Sequence, residues 1–218
     1  MSKAGSPQVK TKQLVDSSKE SPPFVNTVGE KVALGPLRKD LIPHYGRWYN
    51  DLRTLSRLGD LPRPWTLEQE EQRYERVIER SESDIVFVIY EQSSGRPIGI
   101  TGLGEVDKRN RTAEFGISIG EPDARGKGYG TEAAGLVLDY AFTALSLHSV
   151  MLRVFSFNPA AIRAYTKAGF KEFARRRESQ FMGGIFWDDI YMECLSTEWG
   201  PSPVLAKIFQ PDEPRSPR

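Results

Sequence analysis

Cysteine is almost missing from this 218-residue chain: Cys194 stands alone. One thiol excludes an intrachain disulfide and any cysteine-based metal cluster, and it fits a reducing compartment. Histidine is as scarce. His44 and His148 lie far apart, without the spacing of a metal site, so no metal is expected and both read as solvated or core histidines. An excess of one charge is also lacking: 30 Lys and Arg stand against 29 Asp and Glu, a net +1. Bulk electrostatics therefore give no reason to expect a nucleic-acid or membrane partner. No apolar run is long enough to cross a bilayer, and the first twenty residues lack the apolar core of a signal peptide. The expectation is a cytoplasmic protein.

What is present is an ordinary globular composition, 39% hydrophobic and 27% charged, enough for one sizeable core. Residues 1–23 are polar and aperiodic and read as a flexible N-terminal tail; residues 200–218 carry five prolines and read as an extended C-terminal tail. Leu205, Ile208 and Phe209 interrupt that tail and offer a docking point on the body or on a partner subunit. The domain is expected over residues 24–199, and no internal repeat is visible.

Within it, strand and helix signals alternate. Residues 31–37 read as a short strand and 41–50 as a helix bearing Tyr45, Trp48 and Tyr49. Thr66, with Gln69 three residues on, forms a capping box ahead of a helix with Leu67, Tyr74, Val77 and Ile78 at helical spacing. Residues 84–90 and 97–106 are apolar strands joined by a Gln92-Ser93-Ser94-Gly95 turn. Residues 112–119 alternate: Ala113, Phe115, Ile117 and Ile119 share one face, Glu114, Gly116 and Ser118 the other. A helix follows to Phe142, with Glu132, Gly135 and Asp139 as a structural polar stripe on one face, and then a strand over 150–157. Asn158 caps a helix that has Pro159 at its first position and stops at Gly169. Strands over 170–177 and 186–195 close the domain around a Gly183-Gly184 turn. The pattern predicts an α/β fold, a mixed sheet of about seven strands with helices on its faces.

The most telling segment is Arg125-Gly126-Lys127-Gly128-Tyr129-Gly130, between the 112–119 strand and the helix that Thr131 enters. Glycines let the backbone turn tightly, and successive N–H groups at a helix start form an anion-binding nest. Arg125 and Lys127 add positive charge. The combination suits a phosphate-bearing cofactor.

With its downstream partner the segment resembles a known family. Arg125-x-x-Gly128-x-Gly130, followed by Asn158-Pro159-Ala160-Ala161-Ile162-Arg163-Ala164-Tyr165-Thr166-Lys167-Ala168-Gly169-Phe170, is similar to the GNAT N-acetyltransferase superfamily. Ala113 to Ile117, Thr131 to Ala133 and Leu138 to Phe142 resemble its branch of ribosomal-protein N-terminal acetyltransferases, with spermidine acetyltransferases close by. The resemblance runs from about Val32 to Trp199. It implies the GNAT fold, with a mostly antiparallel sheet, and acetyl-CoA as acyl donor. Transfer would go directly to a primary amine in a ternary complex, by a monomer or homodimer. Alternatives on the same fold are a polyamine or aminoglycoside-type antibiotic acetyltransferase, a succinyl-CoA user, and a non-catalytic acyl-CoA sensor.

It also implies a set of site residues. The pyrophosphate is expected on Arg125, Gly126, Lys127, Gly128, Tyr129, Gly130 and Thr131. The pantetheine arm would lie along the open backbone of Ile117, Ser118 and Ile119, and beside the small-residue face of Asn158, Ala161, Ala164 and Tyr165. Tyr165 matches the general acid for the leaving thiolate, and Glu114 is the candidate base, its pKa raised by partial burial. Acceptor contacts are expected from Tyr45, Trp48, Tyr49, Trp65, Tyr74, Phe181, Phe186 and Trp187, most of them core. Glu68, Glu70, Glu71, Asp188 and Asp189 lie in the same segments, the three glutamates as a solvated helix face.

Overall fold

The structure, a computed structural model, describes residues 23–59, 63–200 and 204–205. The expected N-terminal tail, and Ile208 and Phe209 of the C-terminal one, lie outside the described residues. Eight strands form one sheet: β1 (Thr27–Val28), β2 (Val32–Pro36), β3 (Ile85–Glu91), β4 (Pro97–Asp107), β5 (Thr112–Ile119), β6 (Ser149–Phe155), β7 (Lys171–Met182) and β8 (Ile185–Leu195). Their order is β1-β2-β3-β4-β5-β6-β8-β7. All neighbours are antiparallel except β5 and β6. The eighth strand, absent from the sequence reading, is the two-residue β1.

Strand alternation sorts the core into two layers. Phe87 and Ile89 of β3 face one side and join Ala113 and Phe115 of β5, Val150, Leu152 and Val154 of β6, and the helix α4 (Tyr129–Asp139). The helix α5 (Pro159–Ala168) packs against the same cluster through Ala161, Ile162 and Tyr165. Val88 and Tyr90 face the other side, where with Ile100 they meet Leu41, Ile42, Tyr45 and Trp48. Those residues belong to α1 (Ile42–Tyr49) and the 3-10 turn before it. Two further helices, α2 (Leu52–Leu58) and α3 (Leu67–Glu79), complete this layer.

The helix ends follow from local chemistry. Asp51 caps α2 by accepting from the Arg53 N–H at 3.1 Å, and Gly59, at φ 78°, ends it. The Thr66 capping box on α3 is present in both directions, at 3.0 and 3.3 Å. Asn158 caps α5 through the Ala161 N–H, and Gly169 at φ 110° closes it. The expected helix to Phe142 is α4 continued by a π-helical turn, Tyr140–Ala144, closed by a Leu145 N–H to Tyr140 carbonyl bond.

Two carboxylates change character. Glu70, expected on a solvated face, is fully buried, with Arg73 bonded to it at 2.8 Å; it lies on the inner side of α3, where the next turn faces Tyr49 and Tyr45. Asp139, expected in a polar stripe, is also fully buried and accepts from the Val204 and Leu205 N–H groups at 3.2 and 3.0 Å. Leu205 thus docks on the body. Cys194 is a buried strand residue as expected, and burial pushes its thiol up to about 11.

Candidate active site

The site begins with a failure of pairing. β5 and β6 run parallel and pair only through Thr112, Ala113 and Glu114, opposite Ser149, Val150 and Met151. Beyond Glu114 the β6 side of β5 has no strand partner among the described residues, although β5 stays paired to β4 as far as Ile119. The sheet therefore forks, and two openings meet at the fork.

The first is a cleft of about 370 Å³ lined by Ile117, Ser118 and Ile119 of β5, by Arg125, Gly126, Gly128, Gly130 and Thr131 of the glycine turn, and by Asn158, Ala161, Ala164 and Tyr165 of α5. Gly126 and Gly128 adopt φ of 77° and 87°, a region that L side chains resist, so the glycines are required by the turn. No side chain caps α4 at Gly128. Its first N–H groups remain available to an anion, and the helix dipole adds to the attraction. Arg57 of α2 and Arg163 and Lys167 of α5 also line the cleft and supply exposed cations. Sequence reading missed all three as site residues, although the i, i+4 spacing of Arg163 and Lys167 puts them on one helix face.

Tyr165 stands half-buried in this cleft, its ring edge-on to Phe115 and Phe170. Burial alone pushes its hydroxyl up to about 12, from the usual 10. The group stays protonated across the physiological range and can donate a proton.

The second opening is a groove of about 430 Å³, lined by Gly102, Gly104, Glu114, Gly116 and Ser118 on the sheet and by Tyr49, Leu58, Val77 and Arg80 from the helices. Asp84 and Glu105 stand at its rim; Arg80 pairs with Asp84 at 3.5 Å. Ile117, Ser118 and Leu58 line both openings, so the two communicate at the fork.

Three expectations need correction. Glu114 lines the second groove, outside the first cleft, and is exposed where partial burial was expected, because it lies on the strand face opposite the buried Ala113 and Phe115, at the position where the β5–β6 pairing ends. The Lys127 ammonium lies 5.9 Å from the Tyr129 ring centroid, and the Tyr129 hydroxyl donates to Glu91 at 2.7 Å; neither residue lines the cleft. Arg125 lines it, but its guanidinium is already engaged. It bonds the Ile119 and Gly120 carbonyls at 3.0 and 3.1 Å and the Thr54 hydroxyl at 2.8 Å, and pairs with Asp51 at 3.4 Å. Among the expected acceptor aromatics, Tyr49 alone lines the groove, Tyr45 and Trp48 are core as expected, and Phe181 and Phe186 pack against each other at an interplanar angle of 51° at the exposed β7–β8 tip.

A forked sheet with a glycine turn at a helix start on one side and a groove carrying Glu114, Asp84 and Glu105 on the other is an architecture suited to group transfer between two ligands. Residues 31–171 match the acetyltransferase (GNAT) domain family, and the chain belongs to it. That family moves an acetyl group from acetyl-CoA to an amine. The chain is 34% identical over 111 residues to the spermidine N(1)-acetyltransferase of Vibrio cholerae, covering 51% of this chain and 64% of that protein. It is 31% identical over 162 residues to mouse alpha/beta-tubulin-N-acetyltransferase 9, covering 67% and 64%. A crystal structure of the Vibrio cholerae spermidine N-acetyltransferase with CoA and spermine superposes with a TM-score of 0.70 at 28% identity, over 77% of this chain and 97% of that one. Among the described residues no helix is long and apolar enough to cross a membrane.

Proposed function

We propose that this chain acetylates a linear cationic amine of the polyamine class, by direct transfer from acetyl-CoA in a ternary complex. The observation that carries the reading is the meeting of the two openings at Ile117 and Ser118, on the unpaired edge of β5. The donor enters from the glycine-turn side. Its pyrophosphate is held by the open amides of α4 and by Arg57, Arg163 and Lys167, and its narrow arm lies between the β5 backbone and the small residues Ala161 and Ala164. The amine enters from the other side. Three carboxylates against one cation, itself paired to Asp84, leave that groove net negative, which favours a polycation over a neutral or acidic acceptor.

In the reaction the ammonium form of the acceptor loses a proton toward Glu114, directly or through water. The freed nitrogen forms a bond to the thioester carbonyl carbon, and backbone N–H groups near Ile117 face the resulting oxyanion. As the carbon–sulfur bond breaks, the Tyr165 hydroxyl gives its proton to the thiolate, and the second proton of the attacking nitrogen leaves through water to restore the phenol, so that the products are a neutral amide and a thiol. Similarity to the tubulin N-acetyltransferase favours a second acceptor, an amine on a protein.

An acceptor screen with acetyl-CoA tests the reading, with spermidine and spermine set against N-terminal peptides and aminoglycosides. The highest kcat/KM is expected for the polyamines; peptides turned over faster would replace the acceptor class. Tyr165→Phe is expected to lower kcat ~100-fold with acetyl-CoA affinity unchanged. Wild-type protein that binds no acetyl-CoA in calorimetry at high micromolar concentration would overturn the donor.

A further inference from the structure

Arg125 is the one charged residue of the glycine signature whose side chain lines the donor cleft. Its environment, though, consists of protein groups. The fork of the guanidinium grips the last carbonyl of β5, that of Ile119, and the next one, that of Gly120, at 3.0 and 3.1 Å. Its other bonds reach 71 and 74 residues back along the chain, to the Thr54 hydroxyl at 2.8 Å and the Asp51 carboxylate at 3.4 Å. Asp51 and Thr54 form the first turn of α2, and Thr54 also donates to Asp51 at 2.8 Å. The guanidinium therefore joins the end of β5 to the start of α2.

α2 is short, seven residues, and too brief to hold itself by propensity. Yet Arg57 and Leu58 at its far end line the donor cleft, and Leu58 lines the acceptor groove as well. It is a wall shared by both openings, and Arg125 fixes it to the fork.

We propose that Arg125 is a positioning residue: it sets α2 as the common wall of the donor and acceptor sites, and its side chain does not serve as a phosphate ligand. This rests on the proposed assignment of the two openings. Geometry matters here more than charge. A lysine at 125 keeps the charge but loses the planar fork that satisfies four partners at once. A phosphate ligand would tolerate that exchange far better than a strut.

The test pairs Arg125→Lys with Thr54→Val. The second variant removes the Thr54 hydroxyl, and with it the bonds to Arg125 and to Asp51, without touching the turn. Acetyl-CoA affinity is measured by calorimetry between low and high salt, and kinetics are measured with the best acceptor. The expected result for Arg125→Lys is a ~30-fold loss of acceptor kcat/KM, with acetyl-CoA affinity within ~3-fold of wild type and the same salt dependence. Thr54→Val should move in the same direction by ~5-fold, and the double variant should lose little more than Arg125→Lys alone, since both break one strut. Arg163→Ala is the comparison: it should weaken acetyl-CoA binding and flatten its salt dependence. The proposal is overturned if Arg125→Lys behaves like Arg163→Ala, if its acceptor kinetics are unchanged, or if the double variant's losses simply multiply. Failure of the donor assignment shows separately, as wild-type protein that binds no acetyl-CoA.

Discussion

Gly128 holds the glycine turn at φ 87°, and a Cβ placed there would approach only the Lys31 ammonium, at 3.4 Å. That contact is the tip of a flexible side chain, so crowding is minor and backbone strain decides the outcome. Gly126, at φ 77° with nothing within 4 Å of an added Cβ, is the strain-only comparison. Gly126→Ala and Gly128→Ala are each expected to destabilise the fold by about 1–2 kcal/mol in thermal unfolding, with asparagine at either position costing less because it tolerates left-handed backbone. Alanine variants of wild-type stability would show that the turn has no fixed conformation. Residues of this kind were legible in the sequence: Gly126 and Gly128, the Asn158 cap and the Gly169 stop are all dictated by local backbone geometry. Arg125 and Glu70 were not. Their roles depend on partners or packing contributed by other elements, which no local spacing encodes.

At the scale of elements, β5 and α5 fall on the residues that alternation and capping signals indicate, 112–119 and 159–168. α2 went unread although Asp51, Gly59 and the apolar spacing of Leu52, Leu55 and Leu58 mark it; at seven residues its periodicity completes only two turns. β7 extends to Met182, five residues beyond expectation, because an edge strand exposed on both faces carries no alternation. α3 tests how far local signals govern the site. Thr66→Ala removes one half of the capping box and should cost about 1 kcal/mol in urea unfolding. Val77 and Arg80, which line the acceptor groove, stand about three turns from the cap, so acceptor KM should change less than twofold. A large rise in acceptor KM would mean that α3 moves as one rigid rod and that its start sets the groove.

The whole molecule is closed by a contact far from the fork. α4, whose N-terminus forms the glycine turn, ends in Asp139, a carboxylate with no solvent exposure. It accepts from the Thr143 hydroxyl at 3.1 Å and from the Val204 and Leu205 N–H groups, so Val204 and Leu205 are fastened to the helix that starts at the glycine turn. Trp199 supports the same junction by packing against Phe142, with ring centroids 6.0 Å apart. A buried charge is tolerable only with such donors. Asp139→Ala leaves two amides without their acceptor and should cost about 3 kcal/mol, with faster hydrogen exchange at Val204 and Leu205. Truncation after Gly200 should cost a similar amount for the complementary reason, since the carboxylate then loses its two backbone donors. The two changes should not add: in the truncated chain Asp139→Ala removes an unsatisfied charge and should be close to neutral in urea unfolding. Additive losses would mean that Asp139 stabilises α4 by itself and that the C-terminal segment merely rests on it.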